Sequence, residues 1–326
     1  MRVTVLAFPV LLLLAALAQM GLAAQEQGSR IAVLSQDDGS IAEIDSGTGG
    51  VVTTVKLGKG PAGFTVSPDG SRLYATYPDG DGIAVVDTQS GALTRTLPFR
   101  GEPFGIVAGQ GFIYVSDWAK DTVTQIDAAS GEVERSVTVG KSPAGLAFDD
   151  IRGLLFVANR ESDEVTVIET STMHKMASIA SGAAPFALAL SSDRRRLYVA
   201  NVRSNDLSII DTARLQRVTT IECGAMPYGV AVTPDDGLVL VTNQHGNTVT
   251  MIDAQSLKIV ASVPAGRYPE GVIAGPGGLA YVANWFSDDV SVIDLAGRRE
   301  IRRIKVGAGP RTFALLPGPM RSLGHE

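Results

Sequence analysis

The sequence predicts an all-β fold: a seven-bladed β-propeller of four-stranded blades, closed by a blade shared between the N- and C-terminal segments. Three observations predict it. A two-marker frame recurs at intervals of 40 to 42 residues. The segments between the markers carry short apolar, β-branched runs with no helical periodicity. The last unit holds a single strand, and the first holds three.

The markers establish the repeat. The proline of a G-x-x-P turn falls at Pro61, Pro103, Pro143, Pro185, Pro227, Pro269 and Pro310, spaced by 42, 40, 42, 42, 42 and 41 residues. The acid closing a V-x-V-I-D strand falls at Asp45, Asp87, Asp127, Glu169, Asp211, Asp253 and Asp294, with the same spacings. Two independent markers keep one rhythm, and a period near 42 with four short strands is the signature of a propeller blade. One unit departs from the frame, since Gly101-Glu102-Pro103 is a residue short.

Within a unit, Leu197-Tyr198-Val199-Ala200 is nearly continuous in apolar character, as expected of a strand buried on both faces. Val290-Ser291-Val292-Ile293 sets β-branched residues around one polar position. Six units run complete between Pro61 and Val306; the last supplies Arg311 to Leu316, and Arg30 to Leu57 supplies the other three strands. Joining them makes a seventh blade and removes the open edge of an unclosed array.

The segment before the repeats reads differently. Met1-Arg2 is followed by a run from Val3 to Ala18 broken only by Thr4 and Pro9, then by Gly21-Leu22-Ala23-Ala24. This is the pattern of a secretory signal over residues 1–24, with an uncleaved anchor as the rival reading. Residues 25–326 then form one propeller domain in the periplasm or outside the cell, with no stable membrane span.

The composition, 45% hydrophobic and 19% charged in 326 residues, suits a large core. Removing the leader leaves 27 basic against 34 acidic residues, which disfavours nucleic acid as a partner. The one cysteine, Cys223, excludes an internal disulfide and takes a slot otherwise held by core residues.

The repeat also carries a resemblance. Tyr198-Val199-Ala200-Asn201, Tyr281-Val282-Ala283-Asn284 and Leu240-Val241-Thr242-Asn243 resemble the tetrapeptide that names the YVTN-repeat β-propeller family, and the turn Ser67-Pro68-Asp69-Gly70 agrees. The resemblance spans about residues 30 to 316. It implies an exported bacterial propeller and leaves the role open, because the family serves assorted functions.

Comparing blades separates frame from site. The second residue after each proline is Gly63, Gly105, Gly145, Ala187, Gly229, Gly271 or Thr312, small as the crowded innermost strand requires. The seven closing acids precede short turns and serve them. With strands A to D in antiparallel order, the G-x-x-P loop and the loop after Y-V-A-N share one face.

On that face the slots vary. The position after the asparagine reads Gln36, Pro78, Trp118, Arg160, Val202, Gln244 and Trp285; the next reads Asp37, Asp79, Ala119, Glu161, Arg203, His245 and Phe286. Flanking the prolines stand Met226, Arg267, Tyr268, Phe104, Phe186, Tyr228, Glu270 and Arg311. The candidate ligand- or partner-binding residues are therefore Trp118, Arg160, Arg203, Met226, Tyr228, His245, Arg267, Tyr268, Glu270, Trp285, Phe286 and Arg311. Either these aromatics plug the funnel, or they wall a site for a flat or anionic ligand or a partner protein.

No histidine cluster with metal-ligand spacing, P-loop, dinucleotide fingerprint or G-x-S-x-G occurs. The reading that follows is a non-catalytic binding propeller with no predicted cofactor. The family resemblance implies two alternatives: an accessory of a periplasmic redox system, with His245 as a candidate ligand for a haem-type cofactor, or a lactonase-like hydrolase using His245, Glu270, Arg203 or Arg267.

Overall fold

The computed structural model describes residues 29–58, 60–79 and 82–316. The leader segment, Lys59, the centre of Asp79-Gly80-Asp81-Gly82 and the tail with His325 lie outside them. Seven four-stranded antiparallel sheets form the ring. Blades one to six occupy residues 64–97, 103–138, 143–180, 185–222, 227–264 and 269–305. In the seventh, Pro310–Leu316 pairs with Arg30–Ser35, in register from Arg30↔Leu316 to Leu34↔Thr312. The expected architecture, shared blade included, is the observed one.

Each blade is graded from the inside outward. Strand B of blade six, Leu279–Asn284, buries every residue after the first, and so does strand C, Asp289–Asp294, up to its last. Strand D, Arg299–Lys305, is mostly exposed. Neighbouring blades sandwich strands B and C, so Tyr281, Val290 and Val292 pack with Ile31, Val33 and Ile44 of blade seven. Each such fully buried side chain stabilises the fold by about 1.5–3 kcal/mol. The outer edges are blunted: the register shifts in the C–D pair of all seven blades, bending each edge strand away from further pairing.

Three positions of the repeated strand-B tetrapeptide have a visible physical task. The tyrosines Tyr74, Tyr198 and Tyr281 fill blade seams and are at most 1% exposed. Where the third residue is a hydroxyl, it reaches the next blade: Thr76 Oγ1 donates to the Phe104 carbonyl at 2.7 Å, and Ser116 Oγ to the Ala144 carbonyl at 2.8 Å. The asparagine ties the B–C hairpin, as Asn284 Nδ2 donates to Asp289 Oδ1 at 2.9 Å and Ser291 Oγ at 2.8 Å. The six closing aspartates hold turn amides, for example Asp127 Oδ1 to Ser130 N at 2.7 Å, and that bonding lowers the Asp127 pKa. These acids are frame, as the repeat indicated.

Crowding at the axis explains the small residue of strand A. A Cβ on Gly229 would lie 2.2 Å from the Glu270 carbonyl oxygen of the next blade, inside contact distance.

The closing strand makes a direct prediction. Deleting residues 308–326 opens the seventh blade, and the melting temperature should fall by roughly 10 °C or more, at about 2–4 °C per kcal/mol lost. Calorimetry reads this, and a truncation that melts with the parent contradicts the shared blade.

Candidate functional site

Strand A places its first post-proline side chain at one mouth of the central channel. Around the ring this position holds Ala62, Phe104, Ala144, Phe186, Tyr228, Glu270 and Arg311. The two alanines leave room for long side chains to meet across them. Phe104 of blade two reaches Phe186 of blade four, with ring centroids 5.7 Å apart, and Phe186 stacks on Tyr228 at 4.1 Å. The Arg311 guanidinium of blade seven lies 5.2 Å from the Phe104 ring centroid, over the small Ala62 of blade one. Its Nη2 donates to the Tyr228 hydroxyl at 3.0 Å. The result is a plug that joins four blades at the mouth.

The tryptophans sit on this plug. Trp118 packs on Phe104 at 5.0 Å, and Arg311 lies 5.8 Å from the Trp285 centroid. Arg160 covers Trp118 at 5.8 Å and pairs with Glu161 at 2.9 Å. Cation–π contacts of this kind contribute about 0.5–2 kcal/mol each, more where desolvated.

A polar core is enclosed beside the rings. Glu270 is 5% exposed; its Oε1 accepts from Gln244 Nε2 at 2.9 Å, and its Oε2 lies 3.7 Å from Arg311 Nε. Arg311 Nη1 also donates to Gln36 Oε1. Burial is the main cause that pushes the Glu270 carboxyl up to about 7, against the opposing pull of Arg311. Desolvation likewise pushes the Tyr228 phenol above its ordinary range. Gln36 and Gln244 were not among the candidates from sequence. Their signal was available: they are the two amides in the slot that also holds both tryptophans.

The remaining candidates stand apart from the plug, on the rim. His245, Tyr268 and Phe286 form a chain with centroid separations of 5.8 and 4.8 Å. Phe286 is 55% exposed. Arg267 crosses behind it, Nη2 donating to the Phe286 carbonyl. Farther round, Arg203 holds Glu161 with two bonds of 2.9 and 2.7 Å, which lowers the Glu161 pKa.

Turn chemistry sets the rim. Met226 and Tyr268 have left-handed backbones, φ 57° and 58°. Their amides donate to Asn205 Oδ1 and Asn247 Oδ1 of the preceding loop, each at 2.8 Å. The structure thus divides Trp285 from its neighbour Phe286: the first rests on the plug and the second faces solvent. His245 and Glu270, both candidates in the hydrolase reading, fall in different groups.

Away from this face, His174 starts the exposed outer strand of blade three, and burial pushes the Cys223 thiol up to about 12. Among the described residues no cluster of His, Cys, Asp and Glu is arranged to hold a metal ion, and no helix is long and apolar enough to cross a membrane.

Comparison with known proteins agrees with the ring. Residues 149–286 match the family model described as the cytochrome D1 heme domain, which is less than half of the chain. Among solved structures, one titled Kuenenia stuttgartiensis hydrazine synthase superposes with a TM-score of 0.70 at 22% identity, covering 77% of this chain and 88% of that one. A protein of unknown function from Desulfotomaculum acetoxidans superposes with a TM-score of 0.78 at 13% identity, covering 89% and 99%. At these identities the two structures show the fold alone. No curated protein sequence matches the chain significantly.

The heme in that model's description raises a question of fit. The channel wall carries no histidine, cysteine or methionine among the described residues, and its one phenol, Tyr228, already bonds Arg311. His245 is exposed on the rim, and Arg203 and Arg267 already have partners. These residues do not fit an enclosed, ligated heme.

Two predictions follow from the plug and rim. Trp285→Ala should destabilise the fold by about 1–3 kcal/mol, whereas Phe286→Ala should stay within about 0.5 kcal/mol; urea unfolding separates them. Because the folded protein holds the Glu270 proton more tightly than the unfolded chain, stability should fall as pH rises from the ordinary carboxyl range through about 7. Glu270→Gln should remove that slope, so wild type and variant should diverge in melting temperature between pH 5 and pH 8.

Proposed function

We propose that this propeller is a non-catalytic binding protein of the YVTN-repeat type, exported to the periplasm, which docks a partner on the rim of blades five and six. The observation that carries this is the aromatic chain His245–Tyr268–Phe286. It is built on side chains the blade frame does not require, and it leaves Phe286 55% exposed. Aromatic and arginine side chains dominate binding hot spots, and Arg267 lies beside them. The plug supports the same reading by giving the rim a rigid base.

The family match over residues 149–286 favours a more specific version, in which the partner belongs to a redox system. In that version the propeller is an accessory subunit, and its own residues position the partner.

Co-purification from the native source, with mass spectrometry of what is retained, tests both versions. Tyr268→Ala with Phe286→Ala should keep the melting temperature within a few degrees and lose the retained partner by tenfold or more. Retention undiminished in the double variant removes the rim from the interface. A retained partner that carries no redox group refutes the redox version and leaves the docking surface standing.

A further inference from the structure

Against the plug, the channel holds an open cavity of about 340 Å³ bounded by the inner strands of all seven blades. That is within the range of small-molecule sites, about 300–1,000 Å³. Its wall is apolar through Ile106, Leu146, Leu188 and Val272, while Tyr228, Glu270 and Arg311 face it at the mouth end.

The polar end is not saturated. Glu270 Oε2 and Gln244 Oε1 are both buried, and neither receives a hydrogen bond. A buried acceptor without a donor is costly, and a carboxyl group avoids that cost by taking up a proton. Arg311 has no such escape, because its guanidinium stays charged. Its hydrogen-bond acceptors, Gln36 and Tyr228, are neutral. The nearest acid, Glu270, stands 3.7 Å from Arg311 Nε without a hydrogen bond. The other groups acting on Glu270 are Gln244, through its hydrogen bond, and the exposed Asp37 of blade seven, whose charge water screens. Tyr268 of blade six and Arg160 of blade three act on Tyr228. The one fixed charge lining the cavity is therefore positive.

We propose that this cavity binds a small monocarboxylate, with Arg311 receiving the carboxylate and the apolar channel wall receiving the body of the ligand. The site is separate from the rim, so either stands without the other. Binding is coupled to a proton: Glu270 must be neutral for the cavity to hold an anion, and above its pKa each ligand brings one proton to the Glu270 carboxylate.

Benzoate is a suitable probe, with benzamide and benzylammonium as neutral and cationic counterparts, in titration calorimetry on the intact protein. Since the protonated fraction of a group titrating near 7 sets the apparent affinity, benzoate should bind about tenfold more tightly at pH 6 than at pH 8. At pH 8 the heat should depend on the buffer's ionisation enthalpy, reporting proton uptake. Glu270→Gln should bind at both pH values without the slope, and Arg311→Gln, checked for folding by circular dichroism, should lose binding. No benzoate binding at pH 6, equal binding of benzamide or benzylammonium, or a slope that survives in Glu270→Gln would each overturn the proposal.

Discussion

The antiparallel pairing of Pro310–Leu316 with Arg30–Ser35 is the constraint on which the molecule depends. A propeller blade cannot bury strands B and C alone, since each needs a neighbour on both sides. The circle supplies those neighbours only when it is complete, so every seam in the ring relies on one pairing between segments about 280 residues apart in sequence. The same strand carries Arg311, which bonds Gln36 of its own blade and Tyr228 of blade five, and lies on Phe104 of blade two. Ring closure and channel plugging are thereby one device.

The plug and rim also divide labour between neighbours in sequence. Trp285 and Phe286 stand side by side in a short 3₁₀ turn, yet one packs against Arg311 and the other faces water. For the proposed docking surface, a rigid centre beneath an exposed aromatic rim would lower the entropy lost on binding.

The fold was legible in the sequence because repetition multiplies a weak signal. No single strand compels a propeller, but seven prolines and seven acids in one rhythm do. The mouth residues were legible as a set for the same reason: they break the repeat. What the repeat did not disclose was side-chain direction. It did not show that Ala62 and Ala144 create the gaps through which Arg311 and Phe186 reach Phe104, nor that Gln244 would enclose Glu270. It placed His245 and Glu270 on one face without showing that they belong to different groups. Those relations span the channel, between residues far apart in sequence, and depend on volumes that strand patterning does not encode. The task of Asn205 and Asn247, which brace the next blade's loop, was hidden because it uses the left-handed backbone of a turn rather than a strand.

The register of the closing pair has a mechanical consequence. Arg30 lies opposite Leu316, so the outward ends of both strands leave the sheet at the same end. Tension applied through the flanking chain therefore unzips the pair one rung at a time, rather than shearing all its rungs at once. The first rungs to part are Arg30–Leu316 and Ile31–Leu315, while Arg311, tied to Gln36 and Tyr228, sits near the last. A pulled molecule would yield easily at first and then meet resistance where the plug begins.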